Sequence, residues 1–291
     1  MLHLFALLAL ALPVQAQDAK PVDPARKQTA MTELTRAFDK EGGPEARAAA
    51  IGRCHDVIDP EVIALVRKGL DDKDERVVEA AVTALGRLTH KDSLDALHAF
   101  LKRDKKKLVE NEKLYPLLIK EIGRHGSESS VALLADDPFD QRQFAASQAR
   151  IMSLGNIRSV KSIEALIELS KKVGVHRMDG LRNDTRLALA KLTGRDLGPN
   201  STQWLAWWQD NKKGFEVAKE APKLEAPMER QWARYWGLET EAKEGGEGEG
   251  AGRRGRGGKE GGGTSGGGTS GGGTSGGGTT GGGAGGGTTG G

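Results

Sequence analysis

One mark recurs through the middle of this chain: an apolar residue, a glycine and usually an arginine, closing a stretch rich in alanine and leucine. Ile51-Gly52-Arg53, Leu85-Gly86-Arg87, Ile122-Gly123-Arg124 and Leu154-Gly155-Asn156 carry it, so the glycines fall 34, 37 and 32 residues apart. A period of this size belongs to stacked helical repeats, in which each unit buries its apolar face only against its neighbours. The expected fold is all-α, an α-solenoid. Such arrays present long surfaces for binding, so the spacing points to a binding function without naming the ligand.

The periodic segments between the marks are helical. A first helix is expected from Thr29 to about Glu41, with Met31, Leu34 and Phe38 on one face and a break at Gly42-Gly43-Pro44. Asp59-Pro60-Glu61 supplies a cap, a proline and an acid to start the partner of the Ala46–Arg53 stretch. In the second unit Val77, Val78, Ala81, Leu85 and Leu88 form a stripe, and Asp92 is expected to cap a helix carrying Leu94, Leu97 and Leu101. The third unit holds Leu114, Leu118 and Ile122, then a short helix over Ser129–Ala135. The fourth opens on Asp140 and Gln143 in capping-box spacing, runs from Phe144 to Gly155 and restarts at Ser159. A partial fifth ends at Gly194. No two-residue alternation is long enough for a strand.

From Asp71 to Leu88 the chain reads as an acidic turn, the pair Val77-Val78 and the ending Ala81-Val82-Thr83-Ala84-Leu85-Gly86. This stretch resembles the HEAT-like repeat family, particularly the short bacterial form also found in phycobilin lyases. Thr193-Gly194-Arg195-Asp196-Leu197-Gly198, followed by Trp204-Leu205-Ala206-Trp207-Trp208, is similar to a terminal module of secreted bacterial HEAT-repeat proteins. The resemblance implies an armadillo/HEAT-like right-handed superhelix of about five helical pairs with a protein-binding role. It carries over no catalytic residue, because the repeat has none. Where the family usually places an arginine after the valine of the first helix, this chain has Val78, Asn111 and Gln143.

The two ends differ from the repeats. Residues 1–16, MLHLFALLALALPVQA, read as a signal peptide closed by Val14-Gln15-Ala16, too short to span a bilayer comfortably. Residues 17–27 read as a linker containing Pro21 and Pro24, residues 28–216 as the repeat domain, and 217–242 as a C-terminal aromatic helix. Residues 243–291 are dominated by glycine, with GGGTS repeated nearly verbatim from Gly261, and are expected to form a disordered spacer reaching roughly 40 Å. The formal net charge is +3 with acids and bases interleaved, which favours neither nucleic acid nor an acidic membrane. The arginines of Arg253-Arg254-Gly255-Arg256 are nearly cancelled by Glu244, Glu247, Glu249 and Glu260. The only cysteine, Cys54, cannot form an intramolecular disulfide.

All five tryptophans lie between Trp204 and Trp236, in two groups spaced i, i+3, i+4: Trp204, Trp207, Trp208 and Trp232, Tyr235, Trp236. Each group occupies one helix face. With Asn200 or Ser201 capping the first, both helices are expected to close the open end of the solenoid. Trp207, Trp208, Trp232, Tyr235 and Trp236 are the candidate binding patch, for a peptide or for stacked sugar rings. His55, His90 and His125 follow the repeat glycines. Neighbouring repeats stand about 10 Å apart, too far for their imidazoles to share an ion at about 2 Å, so no metal is expected and helix C-terminal dipoles explain them. The basic run Lys102–Lys107 reads as a solvated helix end. No Ser-His-Asp, GxSxG, P-loop or HExxH signature is present. The expectation is an exported, monomeric, non-catalytic scaffold without cofactor or transmembrane segment that binds an unidentified protein. Its rivals are a cell-envelope carbohydrate binder using the tryptophans and a lyase-type enzyme subunit.

Overall fold

The computed structural model describes residues 22–39, 42–136, 144–175 and 179–238. The expected signal peptide, the tail from residue 243 and the Asp140–Gln143 capping pair lie outside the described residues. Among the described residues there are twelve α-helices and no strand: α1 (Pro24–Phe38), α2 (Pro44–Arg53), α3 (Pro60–Arg67), α4 (Glu75–Arg87), α5 (Lys91–Val109), α6 (Leu114–Arg124), α7 (Val131–Ala135), α8 (Phe144–Asn156), α9 (Val160–Val175), α10 (Asp179–Thr193), α11 (Ser201–Asn211) and α12 (Ala226–Trp236). Short 3-10 turns follow α3 (Lys68–Asp71) and precede α7 (Glu128–Ser130).

Local chemistry sets the boundaries. Asp59 accepts from the amides of Glu61 and Val62 ahead of the Pro60 start, as its spacing predicts. Asp23 and Pro24 do the same for α1, which therefore begins five residues before Thr29, inside the expected linker, and ends at Phe38. α5 is capped by His90 and not by Asp92: the His90 Nδ1 accepts from the Asp92 amide at 3.1 Å. Asn111 caps the α6 turn, accepting from Lys113 and Leu114.

The helices form two rows. α2, α4, α6, α8 and α10 pack one upon the next; opposite them run α1, α3 and α5, then α7, α9 and α11. The pairs α2/α3 to α8/α9 correspond to the four full units expected and α10 to the partial fifth, preceded by α1. The core lies between the rows, where Leu34, Ile51, Leu85, Leu97, Ile122 and Leu166 are buried. α7 is only five residues long, and Arg150 of α8 reaches over it to accept the burden of its end: the guanidinium donates to the carbonyls of Leu133 at 3.1 Å and Leu134 at 3.0 Å and to Tyr115 Oη.

The repeat glycines are not punctuation. Gly86, Gly123 and Gly155 lie within the last helical turn, in right-handed backbone. A Cβ on Gly86 would stand 2.5 Å from Glu121 Cβ, on Gly123 2.7 Å from Ser153 Cα, and on Gly155 2.8 Å from Ala188 Cα. Each therefore marks where the next helix of the even-numbered row comes too close for any side chain. Gly52 has nothing within 4 Å of the same position, so the first mark lacks that contact.

Candidate functional site

The two aromatic helices are built alike and placed differently. Asn200 caps α11, accepting from the Thr202 amide at 2.9 Å. Trp204 is 1 % exposed, and its Nε1 donates to the Gly198 carbonyl at 2.8 Å. Trp207 and Trp208 close edge-on against Phe215, and the Arg195 guanidinium lies 5.8 Å from the Trp207 ring. α11 packs on α9 and joins the main core, closing that row as the sequence predicts.

α12 does not share that position. Residues Met228, Trp232 and Trp236 cluster with Met152 of α8 and Leu187 and Ala190 of α10, apart from the main core. The Trp232 ring comes to 3.3 Å from where a Gly155 Cβ would stand. Lys120 Nζ of α6 lies 4.9 Å from the Tyr235 ring, the Arg124 guanidinium 5.5 Å from Trp236, and Lys191 Nζ of α10 5.6 Å from Trp232. Each aromatic residue of the stripe thus meets a cation within cation–π range. α12 lies along the outward face of α6, α8 and α10, and the expectation that it closes the open end is corrected. An i, i+3, i+4 stripe fixes which side of a helix is buried, not what buries it.

Polar contacts fix its register. Lys191 Nζ sits 3.0 Å from both Glu229 oxygens, and Asp184 accepts from the Gln148 amide at 2.8 Å and the Gln231 amide at 3.2 Å. Burial pushes the Asp184 carboxyl above the ordinary carboxylate range, against the pull of these two neutral amides. Burial also raises Glu229, but the Leu224 amide and Lys191 together hold it below its ordinary value. Burial lowers Lys120 and raises the Tyr235 phenol. Tyr235 Oη and Trp236 Nε1 are buried with no hydrogen-bond partner among the described residues, as is Trp207 Nε1.

The five candidate residues therefore do not form one patch. Trp207 and Trp208 belong to α11, whereas Trp232, Tyr235 and Trp236 belong to α12 on the even row. Missed from sequence are the residues that receive α12: Lys120, Arg124, Asp184 and Lys191 lie on two helices and have no shared spacing with the stripe they meet. Toward the N-terminal end the even row continues as a shallow cleft of 280 Å³ between Gly52, Arg76, Thr83, Arg87 and Leu117. Ion pairs run along its edge, Arg76 to Glu45 at 3.4 Å and Lys113 to Glu79 at 2.7 Å. A wider cleft of 1050 Å³ opens between α1 and α2, lined by Glu33, Arg36, Asp39, Ala46 and Arg53.

The histidines have local roles. His55 Nδ1 lies 2.7 Å from the Gly52 carbonyl and His125 Nε2 3.0 Å from that of Leu85, where burial pushes the His125 imidazole down. His90 stands at a helix start and not at a C-terminus. Among the described residues no three His, Cys, Asp or Glu side chains are grouped to hold a metal. Burial pushes the Cys54 thiol up to about 11, which leaves it protonated and unreactive at neutral pH.

The family model described as HEAT repeats matches residues 31–117, from α1 to the start of α6. This stretch consists of HEAT-like repeats, and α8 and α10 continue the same row beyond it. The match is to the repeat and carries no lyase assignment. No curated protein matches the chain. No helix among the described residues is long and apolar enough to cross a membrane.

Proposed function

We propose that this HEAT-repeat chain is an exported, non-catalytic scaffold that holds another protein against the outward face of its even-numbered row. One observation carries the reading: that face already accommodates an amphipathic helix, α12, through a row of apolar side chains flanked by cations. A helix laid in a groove is a recurring mode of peptide recognition, and repeat stacking extends such a face over many residues. The uncovered part, with Arg76 and Arg87 exposed, is the continuation of that surface. Export rests on the apolar run of residues 1–16. Against the carbohydrate reading, Trp232, Trp236, Trp204 and Trp208 are buried, and their rings face one another, apolar side chains or cations.

Capture of envelope proteins on the immobilised full-length chain tests this, with an Arg76→Glu/Arg87→Glu variant as the comparison. A protein retained by the wild type and lost on the charge-reversed face supports the scaffold. Equal retention on both, or a ligand that proves to be a glycan, removes it.

A further inference from the structure

From α4 to α10 successive helices of the even row approach closely, with Gly86, Gly123 and Gly155 at the crossings. α12 is held differently. It stands off from α6, α8 and α10 by the depth of its tryptophans and touches them chiefly through side chains. Its apolar contacts form a cluster separate from the main core. Two of its polar atoms, Tyr235 Oη and Trp236 Nε1, are buried without partners among the described residues. Beneath it, Asp184 is a buried carboxylate met by neutral amides from Gln148 and Gln231. The chain before it is pinned where the Ala218 carbonyl accepts from Arg158 Nε at 2.5 Å and again at Pro222, and Lys219, Glu220 and Ala221 between them are exposed. A helix reached through an exposed connection, with its own small cluster and unmet polar atoms, is an imperfect occupant of its seat.

We propose that the groove over α6, α8 and α10 is a helix-binding site for a partner protein, and that α12 is its exchangeable occupant in cis. This rests on reading the even row as the binding surface. The seat specifies the partner: an amphipathic helix with aromatic residues at i, i+3 and i+4, to lie over Lys191, Lys120 and Arg124. A carboxylate three residues before the first aromatic residue reaches Lys191, as Glu229 does ahead of Trp232. Phenylalanine at the middle aromatic position improves on Tyr235, because it buries no orphaned hydroxyl.

The test uses the full chain with a specific protease site inserted between Lys219 and Glu220, an exposed stretch that tolerates insertion. After cleavage, a fluorescent peptide of residues 222–238 is added and followed by anisotropy and native mass spectrometry. The expected result is that the severed fragment stays bound and is then displaced one-for-one by the peptide, while the uncleaved chain takes up peptide at least tenfold more weakly. A peptide carrying Tyr235→Phe should compete at lower concentration than the native one. In the cleaved chain Lys191→Met should weaken uptake several-fold while the helical circular dichroism is unchanged. A fragment that never exchanges, one that leaves behind a chain unable to bind peptide, or a loss of helix in the repeats on its release would overturn the proposal. If the face captures a protein while α12 never exchanges, the scaffold stands and the cis-occupant does not.

Discussion

α11 and α12 carry the same aromatic spacing, yet α11 is part of the core and α12 is laid upon it. The difference begins with what each tryptophan finds. Trp204 enters the space between the rows, where it is 1 % exposed and its indole N–H reaches the Gly198 carbonyl. Trp236 is 4 % exposed, but its N–H has no acceptor among the described residues and its ring rests against Arg124. Burial alone does not distinguish a structural aromatic residue from one at an interface; continuity with the main core does.

The widest separation should come from truncating one tryptophan in each helix. Trp204→Ala is expected to lower global stability by about 3 to 5 kcal/mol, the ordinary range for a large core aromatic residue. Trp232→Ala should cost about 1 to 2 kcal/mol, because α12 can leave its seat without opening the space between the rows. Urea unfolding followed by circular dichroism measures both, and equal losses would erase the distinction.

A smaller effect probes the floor on which α12 rests. Gly155→Ala places a methyl group against Ala188 and crowds the Trp232 ring, so a loss of about 1 to 3 kcal/mol is expected together with weaker docking of α12. Gly52→Ala bears the same repeat mark with free space around it, and should raise stability by up to about 1 kcal/mol through helix propensity. Thermal melts of the two variants should move in opposite directions.

The smallest effect concerns pH. Burial raises the Asp184 carboxyl, so its contribution is complete below the unfolded carboxylate value of about 3.9 and is lost as pH rises through the higher folded value. Glu229, held below its ordinary value, contributes in the opposite sense and weakens as pH falls. Asp184→Asn should therefore tighten α12 at pH 7 and leave a profile that only weakens on acidification. Tryptophan emission of the two proteins between pH 4 and 8 checks the sign; a wild type that docks better at neutral pH than its Asn variant would contradict it.

The repeat architecture was legible because it is written locally. Glycine spacing, the Asp59-Pro60 start and the Val77-to-Leu88 stripe each act within a helix or its immediate neighbour, and the family match over residues 31–117 falls where those signals are densest. The reason for the glycines was hidden, since Glu121, Ser153 and Ala188, which press on them, stand a full repeat away. The seat of α12 was hidden for the same cause at longer range: Gln148, Asp184 and Gln231 converge from three helices, and no pattern in any one of them announces it. His90 took the cap from Asp92 because the helix begins at Lys91, which puts Asp92 inside the first turn, where its amide is the group that the His90 Nδ1 accepts from.

Hydrogen exchange of the full-length chain, read by mass spectrometry over α11 and α12, tests the central distinction most directly. Amides of α11 should open only with the repeats and exchange at the rate set by global unfolding, while those of α12 should exchange at least a hundredfold faster through local release. Equal protection of the two helices would mean that α12 is as much a part of the solenoid as the helix before it, and would contradict the account.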